Sequence, residues 1–193
     1  RNMYDRWIPV RSLVHVCFGI NRDLSKEPAK LIFELDEPIT VAGETRRWIG
    51  VIHHCFDPTM APEGKSAVEV WYPSDYDYWK DRYEHKEEYE AEKTQIADLT
   101  ITQLEKRWSG VTEDIEVVDV STPATYVRYT GNWQGSVDGW YVTPENMKTN
   151  PMLTLPGLSD FFMAGQWTAP FAGTVLSAQT GRQVLQLLCT RDG

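Results

Sequence analysis

The sequence predicts an α+β fold: a mixed, largely antiparallel β-sheet with helices packed on one face, plus a C-terminal strand–loop–helix. Three observations carry this prediction. Short apolar, β-branched and aromatic segments separated by turn residues crowd the first third of the chain. The middle switches to helical spacing, and the tail returns to a short apolar run, a glycine-containing loop and a final helical stretch.

The elements follow in order. Ser12–Ile20 (SLVHVCFGI) reads as a strand buried on both faces. Asn21–Pro28 is turn-like, Leu31–Leu35 is a second, shorter strand, and Trp48–Phe56 (WIGVIHHCF) is a third. Pro58, Pro62 and Gly64 punctuate Asp57–Lys65, and the alternating Ala67–Tyr72 (AVEVWY) supplies another strand. Connections this short favour antiparallel pairing. Ser74, with Asp77 three residues on, resembles a helix-capping start. The charged run Lys80–Lys93 mixes both signs and reads as a solvated helix face. Ala97, Ile101, Leu104 and Trp108 recur at helical spacing, so this helix lies across the sheet until Gly110 ends it. Ile115–Val120 (IEVVDV) is a further strand, and Pro123 opens a third region. A boundary at Asn150-Pro151 divides the chain into an α+β domain, 1–150, and the tail, 151–193.

Composition narrows the function. Nineteen basic against 28 acidic residues leave a net charge of −9, which repels nucleic acid and anionic surfaces. No apolar run approaches the ~20 residues that span a bilayer. Eight Trp and nine Tyr point to an aromatic core or a lipophilic, planar ligand. Cys17, Cys55 and Cys189 are odd in number and widely spaced, as expected of reduced thiols in a cytoplasmic protein. His53 and His54 are adjacent, and alternation sends them to opposite faces of a strand, so no shared metal is expected. No Ser/His/Asp or Cys/His constellation is legible, and the catalytic residues stay unassigned.

The tail carries the sharpest local chemistry. Phe161–Ala164 reads as a short buried strand entering Gly165-Gln166-Trp167, and after Ala172-Gly173 a helix runs from about Thr174 to Leu188. The first N–H groups of a helix lack internal partners and carry partial positive charge, which favours an anionic or electron-rich group. Small residues at Ala172 and Gly173 let a flat ligand come close to the backbone.

Leu155–Arg182, LPGLSDFFMAGQWTAPFAGTVLSAQTGR, resembles the C-terminal flavin-contacting motif of the phytoene desaturase and carotenoid isomerase group, within the flavin amine oxidase superfamily. Ser121–Trp140, STPATYVRYTGNWQGSVDGW, resembles a second segment of the same group, and Leu13–Leu24 and Asp57–Lys65 resemble its substrate domain. The resemblance implies FAD as cofactor. It brings Gly165 and Gln166 towards the ribityl–phosphate region and Gly173, Thr174 and Val175 towards the isoalloxazine edge, and it counts Trp167 and Ala172 among the cofactor-binding residues. Asn132, Trp133 and Trp140, with Gly135, fall near flavin or substrate; the structural alternative is turn geometry for the glycine and packing for the tryptophans. The chain departs from the group by Gln166, where many relatives have Asp, and by Phe171 and Ala172 in place of glycines.

The group's dinucleotide fingerprint, G-x-G-x-x-G after a strand, is missing from this sequence, which opens on Arg1. The expectation is therefore a C-terminal fragment of an FAD-dependent oxidoreductase acting on a lipophilic, polyene- or isoprenoid-like substrate. Residues 151–193 would complete an FAD-binding domain whose N-terminal part is absent. The fragment alone is expected to be inactive and not to hold FAD tightly. Expected partners are the small lipophilic substrate, the missing FAD-binding region, a second copy in a homodimer and, for the parent, a membrane touched peripherally. The alternative is a non-enzymatic binding module related to the Rab GDP-dissociation-inhibitor group.

Overall fold

The computed structural model describes residues 5–149, 153–170 and 173–192. Ser12–Gly135 forms one compact unit; the described residues of 1–11 and 136–193 form another.

The first unit is built on a five-stranded sheet: β1 (Leu13–Ile20), β2 (Lys30–Val41), β3 (Glu44–His53), β4 (Ser66–Pro73) and β5 (Ile115–Ser121). Their order is β2-β3-β4-β1-β5, and every pairing is antiparallel. The α+β expectation holds. In one register row Val51, Val70, Val16 and Val120 face the same side, and all four are buried. Helices α1 (Tyr76–Glu84) and α2 (Lys86–Arg107) supply Trp79, Ile96 and Leu104 to that core. Short polar links close it: the Tyr72 hydroxyl meets Thr100 Oγ1 at 2.9 Å, and the Trp79 indole donates to Ser74 Oγ at 2.9 Å.

Several sequence expectations need correction. Strand β1 is not buried on both faces: Val14, Val16, Phe18 and Ile20 are buried, while the residues between them are half-exposed. Helices cover the side carrying those four, and on the opposite face Ile32, Trp48, Trp71 and Val117 are exposed. Strand β2 is 12 residues long rather than five. Its continuation past Leu35 is hidden in the sequence by Glu37-Pro38, which sit in a register break on this edge strand, where proline removes no ladder bond. The β2–β3 turn has Ala42 at φ 50° and Gly43 at φ 75°, the two positive values a tight hairpin needs.

The charged middle forms two helices parted at His85, and Ser74 is not the cap: Asp75 holds that position, with no side-chain capping bond to the helix. Gly110 follows α2 in the left-handed conformation, φ 79°, and leads into the single turn α3 (Val111–Asp114). A helix the sequence reading missed, α4 (Pro123–Thr130), follows β5. Its signals were present: Thr122 and Thr125 exchange side-chain-to-backbone bonds as a capping box, Pro123 opens the first turn, and Gly131 closes it at φ 66°.

In the second unit, Val10 donates to Gly139 O and Tyr141 to Ile8 O, both at 2.7 Å, around a bridge between Pro9 and Trp140. The expected strand at Phe161–Ala164 is only a single bridge, Phe162 to Thr154, and Phe161 is exposed rather than buried. A strand needs a ladder, and among the described residues only this short stretch lies opposite. Helix α5 (Thr174–Asp192) follows the glycine loop as expected and runs four residues further.

Candidate functional site

Two regions carry candidate chemistry, one in each unit. In the tail, Gly165 adopts φ 113° and ψ −176°, a conformation essentially reserved for glycine, as the chain enters a 3-10 turn at Gln166–Thr168. Its N–H donates to Thr180 Oγ1 at 2.8 Å, and its carbonyl accepts from the Thr168 hydroxyl at 2.8 Å. Gly173, at φ 126°, opens α5, and its carbonyl accepts from Ser177 N at 3.0 Å. Among the described residues, a Cβ built at either glycine meets nothing within 4 Å. Both Cα atoms therefore border open space that a flat group can enter. Thr174 and Val175 begin the 19-residue helix, and Val175 is 81% exposed. Their N–H groups stand in the first turn, where the helix supplies no acceptors. Ala172 and Phe171 lie outside the described residues.

Trp167 and Trp140 are brought together. The Trp140 indole donates to Trp167 O at 3.1 Å, and the rings meet edge-on at 4.9 Å. Trp7 closes the other side of Trp140 at 5.6 Å, so Trp140 has no exposed surface. Asn132 and Trp133 belong to the other unit, beside the 3-10 turn Trp133–Gly135. Gly135 there is a close-approach position: at φ 64°, an added Cβ would lie 2.6 Å from Pro123 O. Its carbonyl accepts from Ser12 Oγ at 2.6 Å.

The second region is on the sheet face away from α1 and α2. Glu69 lies opposite Cys17 in the β1–β4 register, and His15 is two residues from Cys17, hence on the same side. His15 Nε2 is 2.7 Å from Glu69 Oε2, and Cys17 Sγ is 3.5 Å from His15 Nε2. His54 reaches the other carboxylate oxygen at 3.2 Å. Its neighbour His53 turns to the core and contacts Glu27 O at 3.0 Å, so the two histidines do part as alternation requires. Burial, then Glu69, then Asp119 push the Cys17 thiol up to about 11. Burial, then Cys17 and Glu69, raise the Tyr126 phenol, which α4 places beside the cluster. Sequence reading missed this constellation. The H-x-C of β1 was visible, but its partner Glu69 is 52 positions from Cys17, and only strand register joins them.

A cleft of about 580 Å³ lies elsewhere in the first unit, with Tyr83, Tyr89 and Tyr129 beside Lys86, Lys93 and Arg128. With Glu90 and Asp119 also in its lining, admitting an apolar chain would strip water from charges of both signs, which disfavours a lipophile there.

The chain is similar to prolycopene isomerases. Over 81 residues, 42% of its length, it is 35% identical to prolycopene isomerases 1 and 2, both chloroplastic, of an Oncidium hybrid cultivar. Over 127 residues, 65% of its length, it is 27% identical to the chloroplastic prolycopene isomerase of Daucus carota. These stretches cover 14% of each Oncidium protein and 20% of the carrot protein, so the chain spans only a small part of the relatives it matches. No family model matches the chain. Among the described residues, no helix is long and apolar enough to cross a membrane.

Proposed function

We propose that the chain is part of an FAD-dependent oxidoreductase acting on a lipophilic, polyene- or isoprenoid-like substrate. The observation that carries this reading is the similarity to prolycopene isomerases, joined to a tail whose loop and helix start suit a flavin. Gly165 and Gly173 leave their Cα faces clear, and the first turn of α5 offers N–H donors and the positive end of its dipole. Gln166 is the neutral hydrogen-bonding side chain of the loop, suited to a ribityl hydroxyl. When bound, FAD would accept or return the electron pair; the residues of this chain orient it and exclude water.

In this reading the α+β part of 1–150 is the substrate side. The exposed Ile32 and Trp48, on the β2–β3 edge of the face opposite α1 and α2, supply apolar surface for a polyene, and Asn132 and Trp133 border the substrate. Residues 151–193 complete an FAD-binding domain whose remainder lies in the longer protein. Free Cys17, Cys55 and Cys189 fit a reducing compartment such as the cytoplasm or a plastid stroma.

The test is spectroscopic. The longer protein carrying this sequence shows a flavin absorbance spectrum on purification or after reconstitution with FAD. A colourless protein that cannot be reconstituted sinks the proposal and favours a binding-only module. Equilibrium dialysis of the 193-residue chain against FAD is expected to show weak binding.

A further inference from the structure

We propose that His15, Cys17 and Glu69 form a binding site for a divalent transition-metal ion of the Zn²⁺ class. This site uses none of the tail residues that the flavin reading invokes, although it lies on the sheet face carrying Trp71 and Val117. One nitrogen, one sulfur and one oxygen ligand atom lie within 4.8 Å of one another. The mixture matters: imidazole and thiolate are the ligands of Zn²⁺, Co²⁺ and Cu²⁺, whereas Mg²⁺ and Ca²⁺ take oxygen.

Two of the three edges lie near tetrahedral spacing, and the third, Cys17 Sγ to the Glu69 carboxylate, is within 4.8 Å. With metal–nitrogen and metal–oxygen bonds of about 2.0–2.1 Å and a metal–sulfur bond of about 2.3 Å, ligand atoms stand roughly 3.3–3.6 Å apart. Cys17 Sγ and His15 Nε2 are already 3.5 Å apart. His15 Nε2 and Glu69 Oε2, at 2.7 Å, need to open by about half an ångström. Three protein ligands leave the fourth corner to water or another small donor.

The supporting shell is present. His54 contacts the second oxygen of Glu69 at 3.2 Å, which orients the carboxylate from outside the ligand set. His15, Cys17 and Glu69 sit on β1 and β4, inside the sheet rather than on loops, so the ladders fix their positions. His15 and Glu69 keep side-chain exposures of 23% and 15%, enough for an ion to enter.

The test titrates the metal-free 193-residue chain with Co²⁺. The expected result is one ion per chain, a thiolate-to-cobalt charge-transfer band in the near ultraviolet, and displacement by Zn²⁺. Cys17→Ser abolishes the band, and His15→Ala and Glu69→Gln each weaken binding at least tenfold. His54→Ala keeps the stoichiometry but weakens binding about 10–100-fold, as loss of an outer partner does. Cys189→Ser, an exposed position on α5, changes nothing. Circular dichroism of each variant shows that the fold survives, and Glu69→Gln keeps the side-chain shape if His15→Ala unfolds. No saturable binding, a band that persists in Cys17→Ser, or a band lost in Cys189→Ser overturns the proposal. So does a cluster that takes no ion and only loses stability when mutated, which would make it a hydrogen-bond network.

Discussion

Gly165 donates its backbone N–H to Thr180 Oγ1 at 2.8 Å, fastening the tail loop to the second turn of α5. Thr180 is itself buried, and its hydroxyl donates onward to Ser177 O. Thr180→Val keeps the shape but removes the acceptor, leaving a part-buried N–H unpaired at a cost of about 1–3 kcal/mol. Thr180→Ser retains the bond. Hydrogen exchange at Gly165 reads the difference: protection drops in the valine variant and stays in the serine variant.

Gly165 also separates backbone strain from steric clash. A Cβ there meets nothing within 4 Å among the described residues, yet its φ of 113° is one that side-chain-bearing residues rarely adopt. Gly165→Ala is expected to destabilise the second unit by about 1–3 kcal/mol through the backbone alone. On the proposed flavin reading it weakens FAD retention as well, measured as flavin released on dilution.

Gly135 and Gly131 differ in what surrounds them. Gly131 closes α4 in open space, so Gly131→Ala costs about 1 kcal/mol of left-handed strain. Gly135→Ala would put a Cβ 2.6 Å from Pro123 O and 3.1 Å from Ser12 Oγ, adding steric conflict of about 1–3 kcal/mol. Denaturant unfolding should rank Gly135→Ala clearly below Gly131→Ala; equal midpoints would refute the close approach.

Tyr72 and Thr100 form a buried hydroxyl pair between β4 and α2. Thr100→Val strands the Tyr72 hydroxyl and costs about 1–3 kcal/mol, whereas adding Tyr72→Phe recovers part of the loss because both partners are then gone. A double-mutant cycle on unfolding free energies measures this coupling.

The same phenol predicts an alkaline limit. Burial, opposed by the Thr100 bond and by Arg46, lifts Tyr72 from 10.0 to about 12. The folded state holds this proton more tightly than the unfolded chain, so the contribution is complete below pH 10 and lost as pH rises through about 12. Tyr72→Phe should flatten the stability profile across that window, as followed by denaturant midpoints against pH.

Much of the fold was legible in local sequence. SLVHVCFGI, AVEVWY and IEVVDV announced three strands because β-branched and aromatic residues alternate or cluster there. The second strand is read only to Leu35, whereas it runs on through Glu37-Pro38, which its edge position tolerates. Helix α4 was missed although Thr122, Pro123 and Gly131 spelled its two ends. At the candidate flavin site, Gly165 and Gly173 were named from a contiguous motif, and both adopt positive φ beside open space.

The sequence by itself determined the α+β class, the glycine loop leading into the final helix, and the resemblance that brings a flavin into consideration. Each of these is written within a few dozen consecutive residues. Tertiary structure alone decided which face of the sheet is covered, and that Glu69 stands beside His15 and Cys17. Periodicity says that two residues share a face but not which distant strand lies opposite. Register is set by the whole sheet burying Val16, Val70, Val51 and Val120 together, and the polar row beside them follows from that burial.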